Sequence, residues 1–184
     1  MRFRERRQER REHRDERRGG EGPVHYRMRQ RLVSIGDDYW IEDDDGRRVF
    51  KVDGKALRVR QTLIFEDADG TALLKIQERM LRIRDTMEIE DADGHTVATV
   101  KKALISPLRD RMSVSVEGGD DLDVRGNILD HEYSVEAGRE KVAEVSKRWF
   151  RIADTYGVEI APGQNDVLLL AVTAVIDTMT HEGR

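Results

Sequence analysis

From Val24 onward the chain consists of short runs rich in Val, Ile, Leu and Thr, separated by acidic residues and Asp-Gly pairs. Runs of this kind predict β-strands, and an Asp-Gly pair between two of them is the strongest short-range hairpin signal. The pairs Asp45-Gly46, Asp69-Gly70 and Asp93-Gly94 recur at a spacing of 24 residues, inside the matching stretches Glu42-Asp43-Asp44-Asp45-Gly46, Glu66-Asp67-Ala68-Asp69-Gly70 and Glu90-Asp91-Ala92-Asp93-Gly94. Half a period out of phase lies a second repeat, Leu57-Arg58-Val59-Arg60-Gln61-Thr62-Leu63 and Leu81-Arg82-Ile83-Arg84-Asp85-Thr86-Met87. It is echoed more loosely from Leu108 to Met112 and from Phe150 to Tyr156. Two kinds of turn therefore alternate, which predicts an antiparallel meander of about 10 to 12 residues per strand and connection. A solenoid has similar periods, but here the repeats decay after Gly94 and the chain closes on a helix, so a closed barrel fits better.

The last element sets the topology. Pro162, Gly163, Asn165 and Asp166 supply a turn and an N-cap, and Val167 to Met179 follows as a helix. Leu168, Leu169, Leu170, Val172, Val175 and Ile176 are distributed around its circumference, and no polar face appears before Asp177. A helix apolar on all sides must be buried on all sides, and in a chain made otherwise of strands the container is the barrel interior. Ala171, Thr173 and Ala174 keep it slim enough to fit.

Composition sharpens this picture at the N-terminus. Residues 1–22 carry nine arginines and six acids with hardly an apolar side chain, so nothing there offsets the entropy of ordering. The segment reads as a charged tail, disordered or frayed-helical, that precedes a single folded domain over residues 23–184. The chain has no cysteine, which excludes disulfides, thiolate-bound zinc and cysteine nucleophiles. No signal-peptide pattern follows the basic start, and the longest apolar run, Val167 to Ile176, is half the roughly 20 residues a membrane span needs. The expectation is cytoplasmic residence, with membrane association, if any, at the periphery.

The run Lys147-Arg148-Trp149-Phe150 through Asp154-Thr155-Tyr156, followed by an apolar helix ending in Val175-Ile176-Asp177, resembles the C-terminal signature of LURP-one-related proteins. Tyr26, Leu32-Val33-Ser34, Tyr39-Trp40-Ile41, Asp45-Gly46 and Val49-Phe50-Lys51-Val52 resemble the N-terminal part of the same family. The resemblance implies about twelve strands closed around a central C-terminal helix, the fold of tubby C-terminal domains and phospholipid scramblases. It implies no single activity: relatives on this fold bind phosphoinositides, move lipids under calcium control or act in plant defence. Tubby's basic phosphoinositide-binding pair has no matched position here, so no binding residue is carried over.

The residues themselves offer little catalytic chemistry. The acidic turns resemble part of an EF-hand loop but fail on spacing, because Phe65 and Ile89 stand where a ligand is needed before the glycine and Ile76 and Val100 where the closing Glu belongs. Histidines 13, 25, 95, 131 and 181 form no pair at metal-binding spacing. There is no nucleophile elbow or Gly-rich phosphate loop, so no catalytic residue, metal or cofactor is assigned. Asp177, at the end of the apolar helix, is expected to cap it or to mark its exit from the barrel. What remains is charge placement. In a meander alternate turns lie at opposite ends, so Asp-Gly turns gather at one rim and Arg58, Arg60, Arg82, Arg84, Arg109, Arg111 and Arg151 at the other. Such a cluster suits phosphate groups. The expectation is a non-enzymatic binding or scaffold domain whose partner is an anionic membrane lipid or another protein, with a scramblase-like, membrane-active protein as the alternative. Near balance of arginines and acids in the tail disfavours nucleic acid.

Overall fold

The computed structural model describes residues 22–29, 39–54, 62–78, 86–102, 111–150 and 155–181. Twelve strands follow in order: β1 (Val24–Arg29), β2 (Tyr39–Asp43), β3 (Arg48–Asp53), β4 (Thr62–Asp67), β5 (Ala72–Glu78) and β6 (Thr86–Asp91) form the first half. The second half is β7 (Thr96–Lys102), β8 (Arg111–Val116), β9 (Leu122–Asn127), β10 (Glu132–Ala137), β11 (Glu140–Ser146) and β12 (Thr155–Ile160). One helix, α1 (Asp166–His181), closes the chain. Every strand pairs antiparallel with its neighbours in sequence, and β1 pairs with β12 from Val24↔Ile160 to Arg29↔Thr155, so the meander is a closed barrel without a free edge.

Alternation along the strands separates the two faces. Inward positions such as Ile41, Phe65, Ile76, Ile89, Val100, Val114, Val135 and Val158 are fully buried. The outward positions carry charges paired across strands: Arg27 with Glu42 at 3.2 Å, Lys51 with Glu66 at 3.6 Å, Lys75 with Glu90 at 3.4 Å and Arg125 with Glu136 at 3.4 Å. Helix α1 fills the interior, as its all-round apolarity predicts, with Leu170, Ala171, Val172, Ala174 and Val175 at 0% exposure. Asn165 caps it, its Oδ1 accepting from the Leu168 amide at 3.2 Å, and Tyr26 donates its hydroxyl to Asp166 at 2.7 Å.

The three repeated turns share one geometry, and it differs from a two-residue hairpin, which would put both central residues at positive φ. Only the glycine is left-handed, at φ 74, 80 and 84 for Gly46, Gly70 and Gly94, while the adjoining Asp45, Asp69 and Asp93 are not. The organising carboxylate belongs to the earlier acid of each stretch. Asp43 Oδ1 accepts from the amides of Asp45 and Arg47, Asp67 Oδ1 from Asp69 and Thr71, and Asp91 Oδ1 from Asp93 and His95, all at 2.9–3.0 Å. Each glycine amide donates to the carbonyl of that earlier acid, whose own amide donates to the carbonyl of the residue after the glycine, so the element is a turn with a glycine bulge, and a further register shift lies three residues on.

Candidate functional site

The closed meander puts the Asp-Gly turns, the Asp120-Asp121 connection and the N-terminus of α1 at one end of the barrel. The opposite rim is where β3, β5, β7 and β11 end, at Asp53, Glu78, Lys102 and Ser146, and where β4, β6, β8 and β12 begin, at Thr62, Thr86, Arg111 and Thr155. The helix C-terminus points to this rim.

Of the seven arginines singled out from sequence, Arg111 is described: it is exposed and stands opposite Arg125 across the β8–β9 ladder. Arg58, Arg60, Arg82, Arg84, Arg109 and Arg151 lie outside the described residues, as does the tail up to residue 21. Arg125 is drawn to Asp123 at 3.1 Å and Glu136 at 3.4 Å, which relieves the like-charge opposition with Arg111. Arg29, Lys101 and Arg148 are further exposed cations at strand ends on this rim. Arg148 is 84% exposed, with its Nε 3.6 Å from Glu132.

Among the described residues, two large hydrophobic side chains are exposed, Leu129 and Trp149, and both belong to connections at this rim. Leu129 is in the β9–β10 turn. Trp149 lies just past the end of β11, where Glu132 organises the backbone: its carboxylate accepts from Ser146 Oγ at 3.0 Å and from the Lys147 amide at 3.1 Å. The indole folds over Gly157 on the outer wall, so closely that a Cβ at 157 would stand 2.5 Å from Trp149 Cε3 and 2.9 Å from Phe150 Cε2. Beside it, the His25 ring meets the indole edge-on at 6.1 Å and bonds Glu159 at 2.9 Å, and the Arg27 guanidinium lies 4.9 Å over Phe150.

Beneath the rim, inside the barrel, is a polar cluster that the sequence reading did not assemble. His131 Nε2 lies 2.6 Å from Asp177 Oδ1, with the two side chains 3% and 1% exposed. Asp177 is therefore neither a cap nor an exit residue: it is a buried carboxylate in the last turns of α1, held by a histidine from the β9–β10 turn. His131 is the one non-glycine residue at positive φ among the described residues, at 52°. Tyr156 packs its ring on His131 at 4.4 Å, and Tyr133 bonds Thr173, whose own hydroxyl donates to the Leu169 carbonyl at 2.9 Å. Burial, and secondarily the negative charge of Asp177, push the phenols of Tyr39, Tyr133 and Tyr156 well above the ordinary tyrosine value. An apolar helix containing one acid was the available signal, because a carboxylate at that depth requires a donor from the wall. Which wall residue answered was not readable from spacing.

One group of metal-ligand type converges among the described residues: Asp91, Asp93 and His95 bring ligand atoms within 4.8 Å of one another. They form the third Asp-Gly turn, where Arg47 and Thr71 occupy the place of His95 in the other two, and the Asp91 carboxylate already serves backbone amides. The amide of His95 is the main cause that holds the Asp91 carboxyl below the usual carboxylate range, against a smaller desolvation effect.

Comparison with known proteins follows the same lines. A family profile described as LURP-one-related matches residues 24–177. Curated protein sequences return no match. A solved X-ray structure of an Arabidopsis thaliana protein is similar over 90% of this chain and 94% of its own, with a TM-score of 0.64 and 19% identity. At that identity the likeness concerns the fold.

Proposed function

The chain belongs to the LURP-one-related family, and we propose that its barrel is a non-enzymatic binding domain that recognises anionic phospholipid headgroups through the rim at the C-terminal end of α1, at the membrane periphery. The observation that carries this reading is the coincidence of exposed cations on this rim with both exposed large hydrophobics among the described residues, Leu129 in a rim turn and Trp149 from a rim connection, its indole lying on the outer wall below. Basic side chains gain about 1 kcal/mol each near an anionic leaflet, and an indole prefers the headgroup layer, so the two features act together. Arg111 and Arg148 contribute from the described part of the rim, and Arg58, Arg60, Arg82, Arg84, Arg109 and Arg151 from the segments that join the same strand ends. The tail, residues 1–22, is read as a charged extension outside this binding unit.

Two features support a binding role over catalysis and over membrane insertion. The barrel interior is occupied by α1, and the His131–Asp177 pair within it is sealed from solvent. The outer wall is laddered with Lys–Glu and Arg–Glu pairs, whereas a barrel that spans a bilayer presents an apolar band outward. No described helix is long and apolar enough to cross a membrane.

The test is co-sedimentation with phosphatidylcholine vesicles carrying graded phosphatidylglycerol, using the full chain, a deletion of residues 1–22 and the combined Arg58→Ala, Arg60→Ala, Arg82→Ala, Arg84→Ala variant. Binding that rises with anionic content, survives the deletion and is lost in the quadruple variant supports the reading. Absence of binding at low salt removes it and leaves a protein partner as the occupant of the rim.

A further inference from the structure

We infer that the last two turns of α1 form a latched plug in the mouth of the barrel, with His131–Asp177 as the latch, and that this end of the helix opens locally while the rest of the barrel stays folded. The inference does not depend on the lipid reading.

The two ends of the interior differ in their share of adaptable side chains. Toward the Asp-Gly rim the inward residues include Phe65, Ile89, Ala98, Val135 and Ile160, and the helix contributes Val167, Leu169 and Leu170. Branched and aromatic side chains in such an interior pack in few rotamers. Toward the opposite rim the inward residues include all three strand methionines, Met28, Met87 and Met112, with Tyr39, Tyr133 and Tyr156, set among branched neighbours such as Val52, Leu63 and Val145, and the helix contributes Asp177, Thr178, Met179 and Thr180. Methionine is unbranched and adapts to altered surroundings, so this end can repack around a displaced helix terminus at lower cost.

The helix itself is uneven. Its first turn is fixed by the Asn165 cap and by the Tyr26–Asp166 bond. Back-bonding occurs once in its middle, from Thr173 to the Leu169 carbonyl, and twice in its last turns, where the hydroxyls of Thr178 and Thr180 bond to the carbonyls of Ala174 at 2.9 Å and Ile176 at 2.6 Å. Such back-bonding slightly destabilises and bends helices. Against this weakness stands the latch, a 2.6 Å contact between two almost fully buried groups. One of them, His131, is held at φ 52°, a conformation that costs a non-glycine residue stability and persists where surrounding contacts enforce it.

The experiment exploits the absence of cysteine from the chain. Met179→Cys and Val172→Cys, made separately, place a single thiol at the mouth and in the middle of the buried helix, and each is labelled under native conditions with a maleimide. The expected result is faster labelling at 179 than at 172, with His131→Ala accelerating position 179 by about tenfold or more and leaving 172 unchanged, in keeping with the loss of a buried charge-assisted bond. Labelling of both positions at one common rate, or equal acceleration of both by His131→Ala, overturns the inference. If His131→Ala does not fold, hydrogen exchange of the unaltered chain decides. Amides of residues 174–181 are expected to exchange through an opening less sensitive to denaturant than that of residues 167–173, and a single shared opening refutes the latch.

Discussion

Tyr156 is a direct test of how the buried polar cluster contributes to stability. Its side chain is fully buried, its ring stacks on His131, and its hydroxyl has no hydrogen-bond partner among the described residues. Tyr156→Phe keeps the stack and removes a polar group whose unpaired burial costs about 1–3 kcal/mol on protein mutational scales. The lost oxygen contacts return only about 0.1–0.2 kcal/mol per atom pair, so the variant is expected to be more stable at neutral pH by roughly 1 kcal/mol. Its second effect lies at alkaline pH. Burial and Asp177 raise the phenols of Tyr39, Tyr133 and Tyr156 in the folded state. Their stabilisation is fully present below the unfolded tyrosine value of about 10, and it is lost as pH rises further, because the unfolded chain releases protons that the folded chain retains. Each such tyrosine adds to the loss of stability with rising pH, so Tyr156→Phe is expected to make the alkaline slope clearly shallower than that of the parent. Urea denaturation at a series of pH values from neutral to alkaline measures both effects, and comparison of variant with parent cancels the lysines that titrate in the same range. An unchanged alkaline slope refutes the assignment of Tyr156 as a buried neutral phenol. A destabilisation beyond about 1 kcal/mol at neutral pH refutes its hydroxyl as unpaired.

The other sites give shorter tests. Gly157→Ala forces Trp149 and Phe150 off the β12 wall, because the new Cβ meets their rings at 2.5 and 2.9 Å; the expected cost is about 1–3 kcal/mol with a red shift of indole emission, and an unshifted spectrum counts against the packing described. Asp91→Ala removes the carboxylate that serves the amides of Asp93 and His95. Since this carboxyl is held below its ordinary value, its contribution is present at neutral pH and disappears as pH falls through the folded-state value, so parent and variant stabilities should converge in acid. A gap between them that is constant with pH would mean that the carboxylate is not what organises the turn.

The barrel was legible because its signals are local and repeated. Three copies of one acidic turn at constant spacing, each followed by a run of strand formers, define a meander, and a helix with no polar face has one place to go. The turn chemistry was half legible: the glycine's left-handed φ follows from the Asp-Gly pair, but the carboxylate that organises the turn sits two residues earlier, where sequence cannot show which oxygen reaches which amide. His131 and Asp177 were illegible as a pair because 46 residues separate them and the contact exists only once the helix has entered the barrel to a set depth. The same reasoning explains why the pair bears on the helix more than the apolar contacts do. Apolar side chains around a smooth cylinder are satisfied by many rotations and depths of the helix, since the hydrophobic effect is non-directional. A buried carboxylate is satisfied only where donors stand, and at the observed setting His131 meets Asp177 at 2.6 Å. Asp177, the one buried acid of α1, therefore narrows the settings of the helix that burial alone would allow.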